Sequence, residues 1–293
     1  MCTNPVGFRN EKISKNYTFE KLLRRITNQV SNQYQDIVLN GGEPTIHPQF
    51  LKLLNEIRFR FPLNKIIIVT NGRRFYYPFF TKACLALNNI RFVITLHGYN
   101  AQTHDRVTQT KGSFVQTVKG IENILKFKNP THSLELRIVL SKLTLPYLEK
   151  ILAFIENKFP QADRVVLIFM KIQGHAIKNL EDVGITYRKV KAIFPKMAKW
   201  LLKFKEFCFY HFPLCTIPPK FWPYTWRTLP TYELTFLPTC QKCLYKKYCL
   251  GIPKEYLKKV GASEFKPIKK KYIIEENNYF RHPISTLSNS IYK

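Results

Sequence analysis

Short apolar runs alternate with stretches of helical periodicity between residues 36 and 170. Runs at 36–40, 65–70, 91–96, 134–140 and 164–170 read as strands. The run Ile66-Ile67-Ile68-Val69 has no polar alternation, as expected of a parallel strand covered on both faces. Between the runs, Phe50, Leu51, Leu54, Ile57 and Phe61 share one helical face, and Leu148, Ile151, Leu152 and Ile155 share another. The chain therefore repeats a βα unit. Right-handed crossovers then allow a doubly wound sheet or part of a barrel. Both bind ligands at the carboxyl ends of the strands, so chemistry is expected in the residues that follow each run.

Helical periodicity continues over residues 186–207. Beyond it Pro213, Pro218, Pro219, Pro223, Pro230 and Pro238 interrupt an aromatic-rich stretch and argue against long regular elements. The expected organisation is a core over 1–207, a cysteine-rich region over 208–275 and a polar tail over 276–293.

Composition narrows the class more than the function. The 293 residues are 45% hydrophobic and 23% charged, which suits a globular protein. No run approaches the ~20 apolar residues of a membrane span, and no secretory signal pattern opens the chain, so a cytoplasmic protein without membrane contact is expected. The 47 Lys and Arg against 19 Asp and Glu give a formal charge of +28, compatible with a nucleic acid, an anionic surface or an acidic partner. Lysine is spread over the whole chain, however, with local clusters only at Lys246 and Lys247 and at Lys269, Lys270 and Lys271. Basicity alone selects no function.

Seven cysteines are unevenly placed: Cys2, Cys84 and Cys208 stand apart, while Cys215, Cys240, Cys243 and Cys249 crowd the last quarter. In a reducing compartment such a crowd reads as a metal-binding set rather than disulfides. Cys84 and Cys208, in apolar surroundings, read as buried thiols.

The first strand ends in Gly41-Gly42-Glu43-Pro44-Thr45. Two glycines let a ligand approach the backbone, a carboxylate accepts from an ammonium group, and Pro44 stiffens the exit. The second strand runs into Thr70-Asn71-Gly72, the third into Thr95-Leu96-His97-Gly98. In this order the three motifs resemble the GGEP, TNG and SLHG strand ends of the radical S-adenosylmethionine (radical SAM) superfamily. The resemblance covers roughly residues 2–174. It implies an α/β fold, a partial (β/α)6 TIM-like barrel lacking its first strand, with a small Cys-rich C-terminal domain.

It also implies a cofactor and its contacts. GGEP, here Gly41, Gly42 and Glu43, would bind the amino group of S-adenosyl-L-methionine (SAM), with Thr70, Asn71 and Thr95 as pocket wall. Arg137, charged in an apolar strand and in want of a carboxylate partner, would face SAM, with Ser141 nearby and Gly174 close to the adenine. His97 either faces the ligand or closes a strand-end turn, and His47 stabilises its loop. No catalytic side chain is assigned. The family's CxxxCxxC loop holds a four-iron four-sulfur cluster, and Cys2 stands where its third cysteine would fall. The expectation is that the chain as given starts inside that loop and is an inactive fragment.

Cys240-x-x-Cys243-x5-Cys249, with Cys215 upstream, suits zinc by spacing alone. Resemblance to radical SAM enzymes with a SPASM or twitch domain implies instead an auxiliary four-iron four-sulfur cluster, although no cysteine follows Cys249 as full SPASM requires. The implied activity is reductive cleavage of SAM to a 5′-deoxyadenosyl radical that modifies a peptide or protein substrate, with a flavodoxin- or ferredoxin-type electron donor. Two alternatives remain: a radical SAM enzyme acting on RNA through its positive charge, and a non-catalytic βα scaffold with a zinc-stapled tail.

Overall fold

The computed structural model describes residues 17–33 and 35–272. Helix α1 (Phe19–Gln29) is capped by Thr18, whose side chain accepts from the Lys21 amide, and buries Phe19 and Leu23. Then β1 (Ile37–Leu39), α2 (Phe50–Arg60), β2 (Ile66–Thr70), α3 (Pro78–Leu85), β3 (Ile90–Thr95), α4 (Ala101–Thr108), α5 (Ser113–Phe127), β4 (Ser133–Leu140), α6 (Leu148–Lys158) and β5 (Arg164–Phe169) follow. All five expected strands form, each within a residue or so of its expected ends. Two further strands, β6 (Phe207–Tyr210) and β7 (Thr225–Trp226), complete a seven-stranded sheet ordered β1 to β7 as in the chain.

The described chain divides into two compact units, one running to residue 138 with 147–165, the other comprising 139–146 and the residues from 166 onward. In the first, β1 to β4 pair in parallel, with Ile68 opposite Leu39 and Phe92, and Thr95 opposite Arg137. One sheet face carries Ile66, Ile68, Phe92, Ile94, Leu134 and Leu136, all fully buried. Phe50, Phe80, Phe75 and Phe92 link α2 and α3 to β3 through ring separations of 6.0, 5.3 and 5.3 Å. The opposite face is mixed: Val38 is 49% exposed, whereas Glu135 is 2% exposed. That burial of a carboxylate requires paired cations.

The second unit has a core rich in aromatics. Phe169 stacks on Tyr187 with ring centroids 3.7 Å apart, and Phe194, Phe209, Phe212 and Phe221 meet edge to face or tilted. Here the expected helix over 186–207 is broken. Tyr187–Lys191 ends, and Pro195 lies in the first turn of a separate helix, Phe194–Met197, because proline can open a helix but not continue one. Phe207–Tyr210 is a fully buried strand. Cys208 and Tyr210 cluster with Val166 and Ile168, with Trp226 packed against them. A two-stranded antiparallel pair, β8 (Leu234–Thr235) and β9 (Ile252–Pro253), leads into α7 (Lys254–Val260). Among the described residues, no helix is long and apolar enough to cross a membrane.

Candidate functional site

Two strand-end motifs far apart in sequence are joined by one carboxylate. Glu43 Oε1 accepts from the Thr45 hydroxyl at 2.6 Å, the Thr45 amide at 3.2 Å and the Thr70 hydroxyl at 2.6 Å. Glu43 Oε2 accepts from the Asn71 amide at 2.6 Å. Thr70 Oγ1 also accepts from the Gly72 amide at 3.1 Å, and Asn71 Oδ1 from the Arg73 amide at 2.9 Å. Arg74 donates to the Thr45 carbonyl at 2.7 Å. The GGEP and TNG turns thus form one hydrogen-bonded edge. Gly41 has φ +155°, a conformation side-chain-bearing residues rarely adopt, and a Cβ built there meets nothing within 4 Å. His47 anchors the same loop: its Nδ1 accepts from the Gln49 amide at 3.2 Å, so Nε2 carries the proton donated to the Tyr17 carbonyl at 2.8 Å.

Along the same edge, Thr95 and Arg137 are register partners on β3 and β4. The partner that Arg137 needs is Glu135, two residues back on the same strand face, bonded to Arg137 Nε at 2.6 Å. Glu135 also accepts from Arg164 Nη1 at 3.2 Å. Burial pushes the Glu135 carboxyl upward, but Arg137, Arg164 and Arg91 outweigh it and hold the group below its ordinary value. Glu135 escaped the sequence reading, although Glu-x-Arg on one strand was the available signal.

His97 follows Thr95 by two residues. Its amide donates to His104 Nδ1 at 3.1 Å, and the two rings lie 5.6 Å apart. Burial first, then the neighbouring His104, lowers the His97 pKa to about 3; burial lowers that of His104 to about 4. Both rings are neutral at pH 7. Among the described residues, buried His97 Nδ1 has no hydrogen-bond partner, an omission costly enough to mark a place for a further polar group.

Ser141 is fully buried, and its hydroxyl is spent on the turn after β4, near Thr144 Oγ1 at 3.2 Å and accepting from the Leu143 and Thr144 amides at 3.3 Å. Gly174, φ +56°, caps a one-turn helix, His175–Lys178. Gly42 is exposed. Cys2 lies outside the described residues.

Cys215, Cys240, Cys243 and Cys249 are all half-buried free thiols. Backbone amides point at their sulfurs: Leu214 and Gly251 at Cys249, 3.4 and 3.5 Å away, and Ile268 at Cys243, 3.4 Å away. The Lys266 amide does the same at Cys215. Burial first, then Cys249, Cys240 and Cys243, pushes the Cys215 thiol up to about 12. Four sulfurs thus sense one another and receive N–H groups, a soft donor set suited to iron–sulfur or zinc chemistry. Among the described residues, however, no three His, Cys, Asp or Glu side chains converge so as to hold a metal ion. Cys84 is fully buried with its thiol raised to about 12, by burial first, and Cys208 is fully buried.

The comparison that decides the family is a match of residues 1–155 to the radical SAM superfamily model, more than half of the chain. The chain belongs to the radical SAM superfamily. No match is found among curated proteins. Among solved structures, Streptococcus suis SuiB bound to S-adenosylmethionine is similar at 15% identity and a TM-score of 0.50, over 69% of this chain and 45% of that one. SuiB bound to its precursor peptide SuiA is similar at 13% identity and a TM-score of 0.50, over 65% of this chain and 41% of that one. The matched region thus spans less than half the length of SuiB. A likeness of that identity shows the fold, and the α/β partial barrel expected of this radical SAM enzyme is the fold observed.

Membership in the superfamily implies SAM and a four-iron four-sulfur cluster. The residues present fit SAM: the ordered Glu43 carboxylate and a His97 nitrogen that has no hydrogen-bond partner among the described residues lie at one end of β1 to β3. Cys2, the expected cluster ligand, lies outside the described residues.

Proposed function

We propose that the strand-end edge built by Gly41, Gly42, Glu43, Thr70, Asn71, Thr95 and Arg137 binds SAM, and that the enzyme modifies a peptide or protein substrate. Glu43, Thr70 and Asn71 would hold the amino end of SAM, and bound SAM with a reduced cluster would supply hydrogen-atom abstraction chemistry. The observation that carries the reading is the Glu43 carboxylate. Among the described residues, Oε1 accepts three hydrogen bonds and Oε2 one, from the Asn71 amide, which leaves Oε2 capacity for an ammonium group. Arg137, held by Glu135 beside Thr95, offers positive charge to a carboxylate. Neutral His97 offers Nδ1 to a further polar group. The chain's part is to hold its ligands in register, the usual means of steering a reactive intermediate.

The peptide reading draws on SuiB, whose structure was solved with a precursor peptide. Cys215, Cys240, Cys243 and Cys249 are proposed to hold an auxiliary four-iron four-sulfur cluster rather than zinc. The CxxCx5C spacing of Cys240, Cys243 and Cys249, with Cys215 upstream, supports this reading through its resemblance to auxiliary-cluster domains. Electrons would come from a flavodoxin- or ferredoxin-type donor in the cytoplasm.

Anaerobic reconstitution with iron and sulfide, followed by iron counting, SAM binding and chromatography for 5′-deoxyadenosine, tests the reading. Bound iron, lost on Cys240→Ser or Cys243→Ser, with SAM binding lost on Glu43→Ala, supports it. Stoichiometric zinc that iron does not replace, with no SAM bound, returns the chain to a stapled scaffold.

A further inference from the structure

The two lysine clusters of the sequence lie together in the structure. The Leu244 amide donates to the Ile268 carbonyl at 3.0 Å, the Tyr245 hydroxyl donates to the Tyr272 carbonyl at 3.0 Å, and the Ile268 amide points at Cys243 Sγ. These bonds pin residues 268–272 along the loop that carries Cys243 and Cys249. Lys242, Lys247, Lys266, Lys269, Lys270 and Lys271 are exposed around it. Between Cys240 and Tyr272 the sequence has ten lysines and no arginine, against two glutamates. Both glutamates are engaged: Glu255 with Lys258 at 2.6 Å, Glu264 with Tyr256 and the Arg188 amide. Apolar surface is interleaved, with Leu244 47%, Phe236 40% and Tyr272 37% exposed.

We propose that this lysine and aromatic surface over the four cysteines docks an acidic polypeptide segment. Charge complementarity selects an acidic partner, whose approach such a surface accelerates and orients. The ring contacts decide between polypeptide and RNA. Lys246 lies over the Phe236 ring at 5.5 Å, Lys247 over Tyr248 at 4.6 Å and Lys270 over Tyr272 at 5.7 Å, so ammonium groups take ring faces on which bases would stack. Lysine is a point charge, and arginine, the residue suited to bidentate phosphate recognition, is missing from the stretch. Leu244 and the lysine stems instead suit apolar side chains set between carboxylates. The inference rests on the reading of a polypeptide substrate and adds the charge of the segment that docks.

The test is fluorescence anisotropy of the full chain with a short labelled peptide alternating glutamate with leucine, its glutamine analogue, and an RNA oligonucleotide of matching charge. The glutamate peptide is expected to bind, to weaken as salt shortens the Debye length, and to lose about tenfold in affinity, a change of ~1.4 kcal/mol, in Lys269→Glu/Lys270→Glu/Lys271→Glu. The matched reversal Lys111→Glu/Lys119→Glu/Lys126→Glu should change it less than about twofold. Circular dichroism confirms that both variants fold. Equal loss from both reversals, equal binding of the glutamine analogue, or tighter binding of the RNA overturns the proposal. SAM binding on the same samples separates the two readings. A chain that binds SAM but not the acidic peptide defeats this inference alone, and one that binds the peptide but not SAM defeats the proposed function.

Discussion

Replacing Thr70 with valine removes one hydroxyl and leaves the side chain's shape. Thr70 is 5% exposed; its hydroxyl donates to Glu43 at 2.6 Å and accepts from the buried Gly72 amide at 3.1 Å. Loss of a hydrogen bond to a charged group costs about 1.5–3 kcal/mol, and an unsatisfied buried amide about 1–3 kcal/mol. The two Thr45 bonds to Glu43 survive and soften the loss. Thr70→Val is therefore expected to lower the unfolding free energy by roughly 3 kcal/mol and to weaken SAM binding about tenfold by freeing the Glu43 carboxylate. Thr70→Ser keeps the hydroxyl and loses a methyl, so it should cost about 1 kcal/mol and leave SAM binding near that of the parent chain. Urea unfolding followed by circular dichroism, paired with equilibrium SAM binding, checks both numbers. A valine variant within ~0.5 kcal/mol of the parent, or a serine variant as damaging as valine, would refute the assignment of Thr70 as the strut of Glu43.

Other perturbations test other parts of the fold. Glu135→Gln leaves three arginines facing a neutral amide and should destabilise by about 3–5 kcal/mol in urea unfolding. Because the folded pKa of Glu135 lies below its unfolded value of about 4.3, its stabilisation is present above that value and is lost as pH falls through the folded pKa. Acid titration of the parent should therefore show a loss of stability that Glu135→Gln lacks, and parallel acid profiles would count against the network. Gly120→Ala places a Cβ 2.2 Å from the Gly72 carbonyl oxygen, so α5 must lift from the turn. A net loss of ~1–3 kcal/mol is expected despite alanine's better helix propensity, and a raised melting temperature contradicts it. Asp105→Ala removes the acceptor of the Gly112 and Phe114 amides and the Ser113 hydroxyl at 2.7–2.8 Å. That should cost about 1–2 kcal/mol by thermal denaturation.

The sheet was legible because period and burial agree. Ile66 and Ile68 are buried and Ile67 half-buried, so an unbroken apolar run was the correct sign of a parallel strand. The helical period over 186–207 runs on through Pro195, which opens a separate helix rather than continuing the first, so the expected single helix is broken. At the site, Glu43, Thr70 and Asn71 were named from their motifs, yet nothing local says that one carboxylate would bind both turns. Glu135 was overlooked because a buried acid is identified by cations that reach it from β5 as well as its own strand. Ser141 belonged to the right strand end, but its hydroxyl closes a turn, as serine hydroxyls do wherever an amide lies two or three residues on.

Glu43 and its partners are proposed to make a SAM site at the carboxyl end of the sheet. Calorimetric titration of SAM into the anaerobically reconstituted chain, its Glu43→Ala variant and its Cys84→Ala variant tests it most directly. Saturable binding to the parent, retained in Cys84→Ala and weakened at least about tenfold in Glu43→Ala, is the predicted result. Equal SAM affinity in the parent and in a folded Glu43→Ala variant would contradict it.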